Sequence, residues 1–160
     1  MAAHLHVARD EDGVADAASG SIRVVLADDH ALIRSSLRSV LDSEAGIDVV
    51  AESGEVESTV RDVRIHHPHV LVCDLRLPRL SNIETIRVIR DRLARTRIVL
   101  ATMEFNPAFA QLALSAGATG FVSKDLADVE LPPAVRAAAR GERWVSPRAA
   151  AYLGGWVGGH

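Results

Sequence analysis

Five short apolar runs punctuate this chain of 160 residues: IRVVLA (22–27), IDVVAES (47–53), HVLVCDL (69–75), RIVLAT (97–102) and TGFVSK (119–124). Most are continuous rather than alternating, the pattern of strands buried on both faces. Segments with helical spacing separate them. Leu32, Leu37, Val40 and Leu41 mark the first, and Val56, Val60 and Val63 the second, after Ser53-Gly54. Ile83, Ile86, Ile89 and Leu93 mark the third; Phe109, Leu112, Ala113 and Ala116 mark the fourth, which ends at Gly117. The fifth runs from about Leu126 to Arg140 and stops at Gly141. Pro132 and Pro133 fall in its first turns, which predicts a start somewhat later than its acidic beginning. Strand–helix alternation of this kind demands parallel strands joined by right-handed crossovers. The predicted fold is α/β, a doubly wound five-stranded parallel sheet with helices on both faces.

For a sheet of this size the expected strand order is the flavodoxin-like 2-1-3-4-5, with ligands outside the carboxyl ends of the strands where the order reverses. Strand 1 ends in Asp28 and Asp29, strand 3 in Asp74, strand 4 in Thr102 and strand 5 in Lys124. Strands 1 and 3 are neighbours in that order, so three carboxylates converge. They repel one another, and a hard divalent cation with oxygen ligands relieves the repulsion. Mg²⁺ suits a site of few protein ligands, several waters and an incoming phosphate. A carboxylate beside such a metal can attack phosphorus. Lys124 then offers a compact ammonium, and Thr102 a hydroxyl, to the transferred group's oxygens. Singly, each residue has a plainer reading. Asp28-Asp29 can be a helix N-cap and first-turn acid, Asp74 a turn residue and Lys124 a solvated loop residue. Their conjunction at four strand ends favours phosphoryl chemistry.

Composition narrows the field. The formal net charge of −3 argues against a dedicated nucleic-acid surface in these residues. No apolar run of eighteen residues and no signal-peptide pattern is present, so a cytoplasmic protein without membrane contact is expected. The single cysteine, Cys73, lies in an apolar run and reads as a small buried side chain. Of 18 basic residues only Lys124 is a lysine. Residues 1–21 read as a flexible tail, 22–141 as the folded domain and 142–160 as a linker or C-terminal tail. His66, His67 and His69 straddle Pro68 and read as a helix end with exposed rings, ahead of a metal cluster.

These motifs resemble the receiver domain of two-component response regulators, over about residues 21 to 150. VVLADDHALIRSSLRSVL resembles the first strand and helix of the NarL/FixJ (LuxR-type) subfamily, and VLVCDLRLP its phosphoacceptor strand. IVLATMEF resembles the switch strand, SAGATGFVSKD the fifth-strand motif, and AVRAAARGERWVSP the closing helix and linker. The resemblance implies that Asp74 accepts a phosphoryl group from a sensor histidine kinase. It implies Mg²⁺ on Asp28, Asp29 and Asp74, with the backbone carbonyl of Arg76 as a further ligand. Thr102 and Lys124 would contact the phosphoryl group. Phe121 falls at the aromatic switch position and would turn inward as Thr102 moves. The face of the fourth helix, fifth strand and fifth helix would then change partners, with a homodimer among the possibilities.

This sequence departs from the family pattern in places. Pro78 is followed by Arg79, Leu80, Ser81 and Asn82, where the family often has glycines, so that loop is expected to be stiffer. Met103 stands where a small residue is usual and is expected to narrow access to Asp74. Arg76 and Glu104 are candidates for a pair across the pocket mouth, with ordinary surface charge the equal alternative. The subfamily usually continues into a helix-turn-helix DNA-binding domain, and residues 142–160 do not carry one, so DNA contact is expected only through an output domain outside this chain. A regulator rather than a turnover enzyme is expected. The competing reading is a receiver that works without phosphorylation as a protein–protein interaction module. A phosphohydrolase would need a general acid near Asp74 and a substrate cap, and the sequence shows neither.

Overall fold

A computed structural model of the chain describes residues 20–74, 87, 90–91, 95–103 and 107–153. Among these, the strands are β1 (Ile22–Ala27), β2 (Ile47–Ser53), β3 (Val70–Asp74), β4 (Arg97–Thr102), β5 (Gly120–Ser123) and β6 (Trp144–Val145). The helices are α1 (Ala31–Asp42), α2 (Val56–His66), α3 (Pro107–Ala116), α4 (Ala127–Ala139) and α5 (Pro147–Leu153), with a 3₁₀ turn over Lys124–Leu126. The apolar residues of the expected third helical segment, Ile83, Ile86, Ile89 and Leu93, lie outside the described residues, as do the tail over 1–19 and the loop after Asp74.

The strands form one parallel sheet in the order β2-β1-β3-β4-β5-β6. The expected five-strand order is present within it. The sixth strand is an addition, and it comes from the segment expected to be a linker. Without it, the outer backbone groups of β5 would be an open edge. Trp144 donates its N–H to the Thr119 carbonyl at 3.2 Å and Ser146 to the Phe121 carbonyl at 2.9 Å, closing that edge.

Both faces of the sheet are covered, which explains the continuous apolar runs. Alternate residues divide between two cores. Val25, Ala27, Leu71, Cys73, Ile98, Leu100 and Phe121 pack with α2 and α3. Val24, Leu26, Val70, Val72, Val99, Ala101 and Val122 pack with α1 and α4. Three layers result, and every strand points its carboxyl end to the same edge.

Three helix expectations need correction. Leu32 is 86% exposed, because it lies five positions, about 140° around the helix, from buried Leu37; Ile33, four positions before Leu37, packs on the core instead. Leu112 is exposed too, since α3 buries Ala110, Ala113 and Leu114 at i, i+3, i+4 spacing. The side chain of Phe109 lies outside the described residues. Finally, α4 starts at Ala127 and carries Pro132 and Pro133 inside it. The two missing N–H groups would have bonded carbonyls of the first turn, Asp128 and Val129, where the ladder is only beginning. A buried Glu130 anchors that turn by other means, described below.

Gly117 ends α3 with φ +125°, a conformation that disfavours any side chain. A Cβ there would lie 2.3 Å from the Arg90 Cδ. No helix among the described residues is long and apolar enough to cross a membrane.

Candidate functional site

Strand register brings the predicted residues together. Ala27 pairs with Cys73, so Asp28, the next residue, sits beside Asp74. Asp74 pairs with Ala101 and Thr102 with Ser123, which sets Thr102 and Lys124 on the strands beyond. Asp28, Asp29, Asp74, Thr102 and Lys124 thus share one edge, as the sequence predicts. Asp28 is fully buried, Asp74 is 4% exposed and Thr102 is 5% exposed.

Lys124 holds this acidic group together. Its Nζ lies 2.5 Å from Asp28 Oδ2 and 2.9 Å from Asp74 Oδ2, with only 3% of the side chain exposed. The contact with Asp74 is an aligned hydrogen bond. That with Asp28 is an ion pair without hydrogen-bond alignment. Removing such charges from water is tolerated only when they are paired.

Asp28, Asp29, His30 and Asp74 each offer a ligand atom, and those atoms lie within 4.8 Å of one another. This donor set is mostly carboxylate oxygen, which suits a hard divalent cation. Asp28 is held in place by two hydrogen bonds. Its Oδ1 accepts the His30 N–H at 2.8 Å, and its own N–H donates to the Ser53 carbonyl at 2.9 Å. Asp29 lies further out and meets His30 Nδ1 at 3.0 Å.

Sequence reasoning missed a clamp below this pair. Arg34 Nη1 donates to the Asp28 carbonyl at 2.5 Å, while its Nε bonds Glu52 at 3.1 Å. Arg38 reaches the other Glu52 oxygen at 2.5 Å. The Arg38 hydrogen bond, more than that of Arg34, holds the Glu52 carboxyl below its usual range. Position 34 stands one residue beyond Ile33 on the buried side of α1; that alone does not announce a clamp.

Cys73, next to Asp74 in the chain and 1% exposed, has its thiol pushed well up. Burial is the main cause, and the charges of Asp74 and Asp28 add to it. Phe121 is 1% exposed and packs in the core with Leu100 and Ala110. Met103 is about half exposed and lines a groove of about 380 Å³ with Leu32, Ile33, Lys124 and Asp128. Arg76 and Glu104 lie outside the described residues.

The histidine run closes α2. His67 takes a left-handed conformation at the helix end. The Arg23 guanidinium donates to the His66 and His67 carbonyls. His69 is half-buried rather than exposed, because its Nδ1 accepts the Arg23 N–H at 2.9 Å.

The second missed residue is Glu130, 4% exposed at the start of α4. Its Oε1 accepts the Ser123 N–H at 2.9 Å and its Oε2 the Ser146 hydroxyl at 3.0 Å. The signal was present: Ala127, Glu130, Leu131 and Ala134 follow the buried stripe of the helix, so a glutamate on that stripe needs buried partners.

Comparison with known proteins agrees with this geometry. The chain is 36% identical over 121 residues to an uncharacterized transcriptional regulatory protein, YxjL, of Bacillus subtilis, covering 76% of this chain and 56% of that protein. It is 35% identical over 132 residues to the DNA-binding transcriptional activator DevR/DosR of Mycobacterium tuberculosis, covering 82% and 61%. The chain therefore spans about three fifths of the length of these relatives. Among solved structures, a LuxR-family two-component response regulator from Aurantimonas superposes with a TM-score of 0.79 at 36% identity, covering 84% of this chain and 96% of that one. The family model for the response regulator receiver domain matches residues 24–136, and with an acidic edge of this geometry the chain belongs to the response regulator receiver family.

Proposed function

We propose that the domain is a phospho-switch in which Asp74 accepts a phosphoryl group from a sensor histidine kinase. The observation that carries this reading is the buried triangle of Asp28, Asp74 and Lys124 at the sheet's carboxyl edge. An Asp74 oxygen attacks phosphorus, the phosphorus–nitrogen bond of the donor phosphohistidine breaks, and its electron pair returns to the imidazole, which takes up a proton. Lys124 moves from carboxylate to phosphoryl oxygen, and the Thr102 hydroxyl meets a second one. Asp28, Asp29 and Asp74 would hold Mg²⁺, with the Arg76 carbonyl as a further ligand, and the ion would neutralise the charge gathering on the phosphoryl oxygens. The turnover of this site is limited to slow loss of its own phosphoryl group. Met103 at the groove tunes the rates of gain and loss, and Arg76 and Glu104 are further candidates for that role by their positions in the sequence.

Phe121 carries the change outward from Thr102 to the face of α3, β5 and α4, where a second copy of the chain docks. The similarity to proteins described as transcriptional regulators supports transcription control as the output, exerted on DNA through a helix-turn-helix domain outside these residues. Such a protein works in the cytoplasm, and its folded unit runs past the expected boundary at 141 through β6 and the helix that follows it.

Intact mass after incubation with Mg²⁺ and acetyl phosphate tests the reading. One added phosphate is expected, absent from Asp74→Asn and absent without Mg²⁺. A folded protein that binds Mg²⁺, binds no beryllofluoride and gains no phosphate would leave the interaction module as the function.

A further inference from the structure

We propose that Glu130 is a positioning residue for Lys124, and that through it the segment after α4 becomes part of the frame of the acidic site. The proposal rests on the phospho-switch reading only for its functional consequence. Its structural core stands on three contacts. The Ser123 N–H, one residue before Lys124, ends on Glu130 Oε1 at 2.9 Å. The Ser146 hydroxyl ends on Oε2 of the same carboxylate at 3.0 Å. The Ser146 N–H ends on the Phe121 carbonyl at 2.9 Å.

The arrangement ties one carboxylate to two distant segments, through a backbone N–H at Ser123 and a side-chain hydroxyl at Ser146. All three residues are nearly sealed from solvent, with Ser123 at 8%, Glu130 at 4% and Ser146 at 2% exposed. Both Glu130 oxygens are used, so neither partner can leave without stranding buried charge. Position 123 is the end of β5, and beyond it the chain turns at once into the 3₁₀ segment that aims Lys124 at Asp28 and Asp74. Position 146 lies between β6 and α5. A shift of the Lys124 backbone therefore pulls on the carboxylate that holds Ser146, and a shift at Ser146 pulls back. Coupling of this kind is reciprocal.

The single lysine of the chain makes the test direct. Full-length protein labelled with ¹³C at the lysine ε carbon has one side-chain signal, that of Lys124. Asp74→Asn calibrates it by moving the signal. Glu130→Ala is expected to move or broaden it, and Glu130→Gln to restore it, because the amide oxygen still accepts from Ser123 and its NH₂ meets the Ser146 oxygen. Ser146→Ala is expected to shift the signal in the same direction by a smaller amount, and the double variant Glu130→Ala/Ser146→Ala to match Glu130→Ala alone. In the Mg²⁺-loaded protein, beryllofluoride should bind Glu130→Ala more weakly, on the order of tenfold, as ordinary site–site couplings do. An unmoved signal in folded Glu130→Ala overturns the proposal, as do shifts that add in the double variant. If Glu130→Ala does not fold, Ser146→Ala decides, an unmoved signal overturning it. Wild-type protein that takes no phosphate but shows the lysine responses would remove the phospho-switch and leave the positioning role standing.

Discussion

The Nζ of Lys124 lies 2.9 Å from Oδ2 of Asp74, a residue 50 positions earlier in the chain, and the same ammonium serves Asp28. One cation is thus shared between two buried carboxylates. Lys124→Ala strips both at once, and breaking a buried pair costs about 3–5 kcal/mol. Urea unfolding without divalent ions should show a loss of that order, partly recovered by millimolar Mg²⁺. An unchanged midpoint would mean that water reaches these carboxylates freely.

Cys73 should be inert in the folded protein. Its thiol is held well above the usual range by burial and by the Asp74 and Asp28 charges, and the thiolate is the reactive form. N-ethylmaleimide at pH 8 is expected to leave native protein unlabelled and to add once in 8 M urea. Rapid labelling without denaturant would contradict the buried placement.

Glu52 predicts an acid-side effect. Its carboxyl is held below its usual value by Arg38, then Arg34. A lowered folded-state pKa contributes stability that is present above the unfolded value, near 4.5, and is lost as pH falls through the folded one. The gap in urea midpoint between wild type and Glu52→Gln should therefore be constant near neutrality and close below about pH 4.5. The side chain is 29% exposed, so the gap should be small. A gap that widens on acidification would reverse the assignment.

Two leucines of the same helix should behave oppositely. Leu41 is fully buried and Leu32 is 86% exposed. Leu41→Ala should cost about 3 kcal/mol, while Leu32→Ala should stay within about 0.5 kcal/mol. Paired thermal and urea melts measure both, and equal losses would mean that α1 packs differently.

The sequence by itself determined the layered plan and which residues meet at the sheet's carboxyl edge. Continuous apolar runs such as VLVCD need cover on both faces, which forces helices to both sides of a parallel sheet. Such a sheet carries its ligands at the carboxyl ends, so Asp28, Asp29, Asp74, Thr102 and Lys124 were legible as one site before any coordinate. Helix periodicity was less decisive: it marked α1 and α3 but put Leu32 and Leu112 on the wrong side, since apolar residues a few positions apart fit more than one stripe.

The tertiary structure alone decided what depends on partners distant in sequence. The Arg34 guanidinium finds the Asp28 carbonyl only because α1 folds back over the end of β1. Glu130 is tolerated in the core only because Ser123, at the end of β5, and Ser146, between β6 and α5, both donate to it. Trp144–Val145 becomes a strand only because β5 would otherwise be an edge. A strand or a stripe is written in neighbouring residues; a buried polar contact between distant segments exists only once packing has removed water and left each group one partner.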